Sequence, residues 1–124
     1  MYYAILIYGV EGVFDRLPDS EKQAFMKKHG DLQTELNEKN KLGPVIRLIG
    51  RSGAMTVRQQ GESIVVTDGP FAETKESLLG LYTVEADTIE EAIEHAKKLP
   101  QGFGSLEIRP VGWAGGNAVD MSDG

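Results

Sequence analysis

Residues 2–8, Tyr-Tyr-Ala-Ile-Leu-Ile-Tyr, are almost wholly apolar, so the strand they predict is apolar on both faces. Such a strand belongs in the middle of a sheet that is covered on each side. The chain offers only two helices to do the covering. The first opens at Pro18-Asp19-Ser20-Glu21, where Pro suits a first turn and Ser20 with Gln23 resembles a capping box. It runs to about Asn40, with Gly43-Pro44 as its stop. At about 100° per residue, Phe25, Leu32 and Leu36 share one arc, and His29 falls within it, so His29 is expected to face the sheet. The second helix starts at the capping box Thr88-Ile89-Glu90-Glu91 and carries an apolar face of Ile89, Ala92, Ile93, Ala96 and Leu99 before Pro100. His95 lies at the edge of that face and reads as a solvated or flanking histidine.

Further strands are expected at residues 45–49, 54–58, 63–67, 78–85 and 105–109. The second and third of these flank Gln59-Gln60-Gly61-Glu62 and form a hairpin. Gly80, inside a strand, marks a bulge or a close neighbour. The order strand, helix, strands, strand, helix, strand gives an α+β fold: a ferredoxin-like split βαβ sheet with both helices on one face. The other face then has no helix left to cover it. A second copy of the chain is the economical cover, which predicts a two-fold homodimer. Residues 1–111 form one domain, and residues 112–124 form a glycine-rich tail in which Trp113 is expected to pack against something.

Composition narrows the function. The 13 basic and 19 acidic side chains leave a formal net charge of −6, which argues against a partner that presents phosphates, whether nucleic acid or an anionic membrane surface. Cysteine is absent and only His29 and His95 are present, so disulfides, thiolate chemistry and a multi-histidine metal centre are not expected. The N-terminal apolar run lacks a preceding basic segment and is too short to span a membrane, so a cytoplasmic protein is expected. No glycine-rich phosphate loop and no serine elbow stand in the required strand-to-helix setting, and no cofactor is expected.

Residues 67–76, Thr-Asp-Gly-Pro-Phe-Ala-Glu-Thr-Lys-Glu, carry the densest chemistry. The strand ends in Asp68, followed by Gly69-Pro70; the proline fixes its own φ and is expected to hold Gly69 extended. Phe71 is expected to pin this corner to the body of the protein. Asp68 then stands on a stiff frame, either as a site acid or as a cap for its own turn. If it meets His29, the two form an acid–base unit, the carboxylate orienting the ring. Phe71, Tyr82 and Lys75 are the candidate substrate contacts, with Glu73 and Glu76 nearby in the same loop.

The string TDGPFAETKE resembles the signature of the YCII-related proteins, in particular the branch with a DGPF motif. The likeness continues in MYYAILIYG, ELNEKNKLG, LLGLYTVEA and SLEIRPV, over roughly residues 1–111. The resemblance implies an α+β barrel formed by two subunits and a histidine–aspartate acid–base site, which maps onto His29 and Asp68. It implies no particular substrate. A cofactor-independent acid–base enzyme acting on a small carbonyl or aromatic compound is the leading expectation. The alternative is a non-catalytic metabolite-binding or regulatory module, and a purely structural domain would have no enclosed cavity.

Overall fold

The computed structural model describes residues 1–116. The central strand is β1 (Tyr2–Gly9), and the ribbon β3 (Met55–Gln60) with β4 (Ser63–Asp68) stands apart from its sheet. β1 lies between β5 (Ser77–Glu85) and β6 (Gly104–Pro110), and β2 (Leu42–Arg47) flanks β5, giving the order β2-β5-β1-β6. All neighbours are antiparallel. Helix α1 (Asp19–Glu38) links β1 to β2, and α2 (Ile89–Lys97) links β5 to β6. This is the split βαβ order of an α+β fold.

Alternation along β1 and β5 decides where the core lies. Tyr3, Ile5, Tyr82 and Val84 point to one face, where Leu32 and Leu36 of α1 and Ala92 and Ala96 of α2 close over them. Ile5, Leu36, Val84 and Ala92 are 0% exposed. Burying an Ile, Leu or Val side chain is worth about 1.5–3 kcal/mol. On the outer face, Leu6 pairs with Leu81 and Leu81 with Ile46. These are half-buried, and Tyr2, Leu48 and Leu78 are exposed. The core cluster contains no residue of this outer face.

Local chemistry corrects several expectations. Pro18 occupies the N-cap of α1 with no side-chain cap, and Ser20 lies inside the helix, so no capping box forms there. The helix ends at Glu38, close to the expected Asn40, but its stop signal is not Gly43-Pro44: Asn40, with a φ of 55°, donates its N–H to Asn37 O (3.1 Å), and Lys41 N donates to Leu36 O (2.8 Å). That pair of bonds is a Schellman motif. Gly43 and Pro44 instead sit in β2, where the register shifts between Leu42 and Val45. Ile49 falls outside the strand and is 90% exposed. In α2 the Thr88 side chain accepts from Glu91 N at 3.2 Å, while Glu91 accepts from the N–H of Asp87 at 2.9 Å, one residue earlier than a standard box requires.

Gly80 meets both of its expectations. The β1–β5 register slips between Ile7 and Tyr8, opposite Gly80 and Leu78, and a β-carbon on Gly80 would run into the Ile46 carbonyl. The hairpin turn is tighter than expected: Gly61, with φ 63°, is the first of only two residues between β3 and β4. Trp113 does not pack as expected, being 85% exposed. The rest of the expected tail, residues 117–124, lies outside the described residues.

Candidate functional site

His29 faces the sheet, as the helical spacing predicts. Its Nδ1 lies 2.7 Å from the hydroxyl of Tyr82 on β5, and Gln33, one turn further along α1, donates its amide to the same oxygen at 2.9 Å. The His29 ring lies between Phe25 (centroids 5.1 Å) and Tyr82 (5.8 Å). Phe25 in turn touches Phe14 of the 3₁₀ turn Phe14–Arg16 and meets Phe103 edge-on. Burial pushes the His29 pKa down, because the cation would lose its hydration. Burial also pushes the Tyr82 phenol up, against a smaller opposing effect of the Gln33 bond. Both groups are therefore neutral at pH 7.

Neutrality fixes the protons. The buried Tyr82 oxygen accepts from Gln33 and needs an acceptor for its own hydrogen; His29 Nδ1 is the one bonded to it among the described residues. The satisfied arrangement has Tyr82 donating to Nδ1, which leaves the proton of His29 on Nε2. Nε2 has no partner of its own among the described residues, and it is not among the fully buried, unpartnered nitrogens. His29 thus presents an accessible N–H.

This N–H belongs to a ring lining a cavity at the end of the sheet. The cavity holds about 50 Å³ and is walled mainly by apolar groups, among them Ile7, Phe25, Leu79, Leu99 and Phe103, with Ser105 as a polar exception. A water fills roughly 30 Å³ of liquid, and ligand pockets span roughly 300–1,000 Å³. Within one chain, then, the space beside His29 suits a water rather than a metabolite.

The corner after β4 is built differently from the expectation. Gly69 has a φ of 91°, so it is not extended but occupies the region that glycine tolerates. Its N–H donates to Ala54 O at 2.8 Å, and Thr56 Oγ1 donates to Gly69 O at 2.7 Å. These bonds close the turn without Asp68, whose exposed carboxylate makes neither a hydrogen bond nor an ion pair within the described residues. His29 and Asp68 are therefore not bonded to each other within one chain. Phe71 does not pin the corner to the body; it is 80% exposed beside an open hollow of about 260 Å³ shared with Arg58, Gln60, Val65, Thr67 and Pro70. Lys75 is exposed in the loop. Of the three expected substrate contacts, Tyr82 alone stands beside His29.

Other side chains fasten the motif loop. Glu11 accepts from Arg51 N at 2.6 Å and from Ser77 Oγ at 3.3 Å. The Arg51 guanidinium donates to Thr74 O at 2.6 Å and lies 3.8 Å from Glu73. Ser105, which lines the cavity, donates to Glu76 at 3.1 Å. Gln33, Glu11, Arg51 and Ser105 were not singled out from sequence. Gln33 was detectable, since it lies one turn beyond His29; the others are brought in from distant loops.

The second histidine corrects its reading. His95 is neither solvated nor flanking: it is 7% exposed, and neither ring nitrogen has a hydrogen-bond partner among the described residues. Burial holds its pKa down, with help from Lys98, while Glu91 and Glu35 oppose the shift. Glu91 lies 3.8 Å from Nε2 and is itself held at about 2 by the Lys41 ammonium and the Asp87 N–H. His95 does not line the cavity at His29.

A split βαβ sheet with a histidine–tyrosine pair between helix and strand defines a small α+β protein without specifying its chemistry. The sequence matches the YCII-related domain over residues 1–112. The chain belongs to the YCII-related family. It is also similar to an uncharacterized protein of Rhizobium meliloti (strain 1021), 39% identical over 114 residues that span 90% of this chain and 92% of that protein. No helix among the described residues is long and apolar enough to cross a membrane.

Proposed function

We propose that the protein is a homodimeric, cofactor-independent acid–base catalyst of the DGPF branch, acting on a small carbonyl or aromatic compound through His29. The observation that carries the reading is the hydrogen-bond chain from Gln33 through the Tyr82 hydroxyl to His29 Nδ1, which assigns the proton of a neutral imidazole to Nε2, on the accessible side of the ring. A neutral imidazole N–H is suited to polarise a carbonyl or to bind a developing oxyanion. Removing a proton at Nε2 instead requires the other tautomer, and then the Tyr82 hydrogen loses its acceptor.

Asp68 completes the site in this reading. It is an unbonded acceptor that, reaching the ligand from the partner subunit, would take the proton leaving it while the His29 N–H binds the carbonyl oxygen. The DGPF assignment rests on residues 67–76, and the dimer on the uncovered outer face of the sheet. Phe71 and Lys75 follow Asp68 in the same loop and would approach a ligand with it.

A non-catalytic metabolite sensor is the competing reading, favoured by the mainly apolar wall of the cavity. Thermal-shift screening with small carboxylic acids, enones and phenols, followed by assays of turnover with those that bind, separates the two. The catalytic reading expects that His29→Ala keeps the wild-type circular dichroism and abolishes turnover. A ligand that binds His29→Ala as tightly as wild type and is never consumed overturns it.

A further inference from the structure

Among the described residues, the β3–β4 ribbon packs on no other element extensively, and a two-stranded ribbon alone is at best marginal in water. Its two faces differ in kind. The register pairs Met55 with Asp68, Val57 with Val66 and Gln59 with Ile64 on one face; on the other it pairs Thr56 with Thr67, Arg58 with Val65 and Gln60 with Ser63. The first face is therefore apolar, yet Met55, Val57, Ile64 and Val66 are 59%, 67%, 73% and 58% exposed. Four such side chains aligned on one side of a ribbon form a docking face rather than scattered surface residues.

We propose that this face of the ribbon is an arm that docks on a second copy of the chain and carries Asp68 into the subunit interface. The proposal rests on the homodimer reading above and names the surface that makes it. Two observations and a symmetry argument favour a second copy as the occupant. The chain has another uncovered apolar surface of its own, the outer face of the sheet with Leu6, Ile46 and Leu81. The two surfaces are joined in sequence, since exposed Leu48 and Ile49 lead from β2 toward the arm. A two-fold axis then lets each copy cover both surfaces of the other with the same contacts.

The area also fits. The arm's four side chains with Leu48, Ile49 and Leu78 carry exposures equivalent to about four fully exposed residues. At roughly 60–120 Å² each, that is roughly 250–500 Å² of apolar surface per copy. A standard interface needs roughly 800 Å² per partner, a little over half of it apolar. Asp68 shares the docking face, so its unbonded carboxylate enters the contact and reaches a donor there.

Sedimentation of the wild-type chain, of the double variant Val57→Lys with Ile64→Lys, and of Arg58→Ala on the opposite face, from low to high micromolar concentration, tests this. In an isolated chain all three should fold alike, because the altered side chains are exposed; circular dichroism checks that they do. The expected result is a wild-type dimer, an Arg58→Ala dimer of similar strength, and at least a hundred-fold weaker association of the double variant. A double variant that dimerises like wild type overturns the arm and leaves the homodimer standing. A wild-type monomer at every concentration overturns both and leaves the face to a different protein. Equal weakening by Arg58→Ala overturns the choice of face.

Discussion

In the sheet, Ile5 and Val84 are sealed from water beneath two helices, whereas in the arm Val57, Ile64 and Val66 keep more than half of their surface. The residue types are the same, and the alternation that sets their direction is the same. What differs is the supply of cover. β1 and β5 have α1 and α2 above them; among the described residues, β3 and β4 pair only with each other. Amphipathic patterning therefore marks a surface suited to burial without saying what, if anything, covers it.

The sharpest way to break that comparison is a matched pair of truncations. Leu36→Ala should cost about 2–5 kcal/mol in urea unfolding, because a sealed site cannot collapse around the lost atoms. Val57→Ala, measured at a concentration where the chain is monomeric, should stay within about 0.5 kcal/mol of wild type. A large loss from Val57→Ala under those conditions would mean that the arm is covered within its own chain.

Next in size is Tyr82→Phe, which leaves Gln33 and His29 Nδ1 without a shared partner. A loss of about 1–3 kcal/mol is expected. The more direct readout is the ¹⁵N spectrum of His29. Wild type should show the proton on Nε2, and Tyr82→Phe should mix the tautomers. A wild-type imidazole protonated on Nδ1 would contradict the hydrogen-bond assignment.

Acid should act on the body rather than on the arm. His29 and His95 both have lowered pKa values, burial being the first cause in each case. The unfolded chain then binds protons before the folded one as the pH drops. Stability is full above about pH 6.5, the ordinary imidazole value, and is lost as the pH falls toward the folded values. Urea midpoints measured from pH 7.5 to 5 should fall in wild type and fall less in His95→Leu. An equally steep fall in that variant would remove His95 from the cause.

Two smaller effects calibrate the helices beneath which the sheet is sealed. Thr88→Ala removes the bond to Glu91 N and should cost about 1 kcal/mol. Gly30→Ala should stabilise by about 0.5–1 kcal/mol, because a β-carbon at this helical position meets nothing within 4 Å. Both are readable as shifts of the urea midpoint, and both should be the same whether or not the chain associates.

Much of the body was legible in sequence for reasons tied to particular residues. The arc of Phe25, His29, Leu32 and Leu36 gave the direction of α1, and the two-sided run at residues 2–8 gave the central strand. Gly80 announced its bulge. The failures have a common physical source. The burial of His95 depends on how α2 lies against the sheet, which neighbours in sequence do not report. Its polar companions Glu91 and Lys98 disguise an inward-facing position. Phe71 and Trp113 were expected to find apolar company and face solvent instead. The bond of Tyr82 to His29 joins residues 53 apart in sequence, and that of Glu11 to Arg51 joins residues 40 apart. No local pattern carries such pairs.

The fastening of residues 73–77 has an evolutionary consequence. Surface loops ordinarily accept insertions freely. Here Thr74, Glu76 and Ser77 are tethered to Arg51, Ser105 and Glu11, which lie in three other stretches of the chain. A length change in any of those stretches would pull on the rest. Four segments that look independent should therefore drift together, and tolerance of extra residues should be found at the tip of the arm, around Gly61, instead.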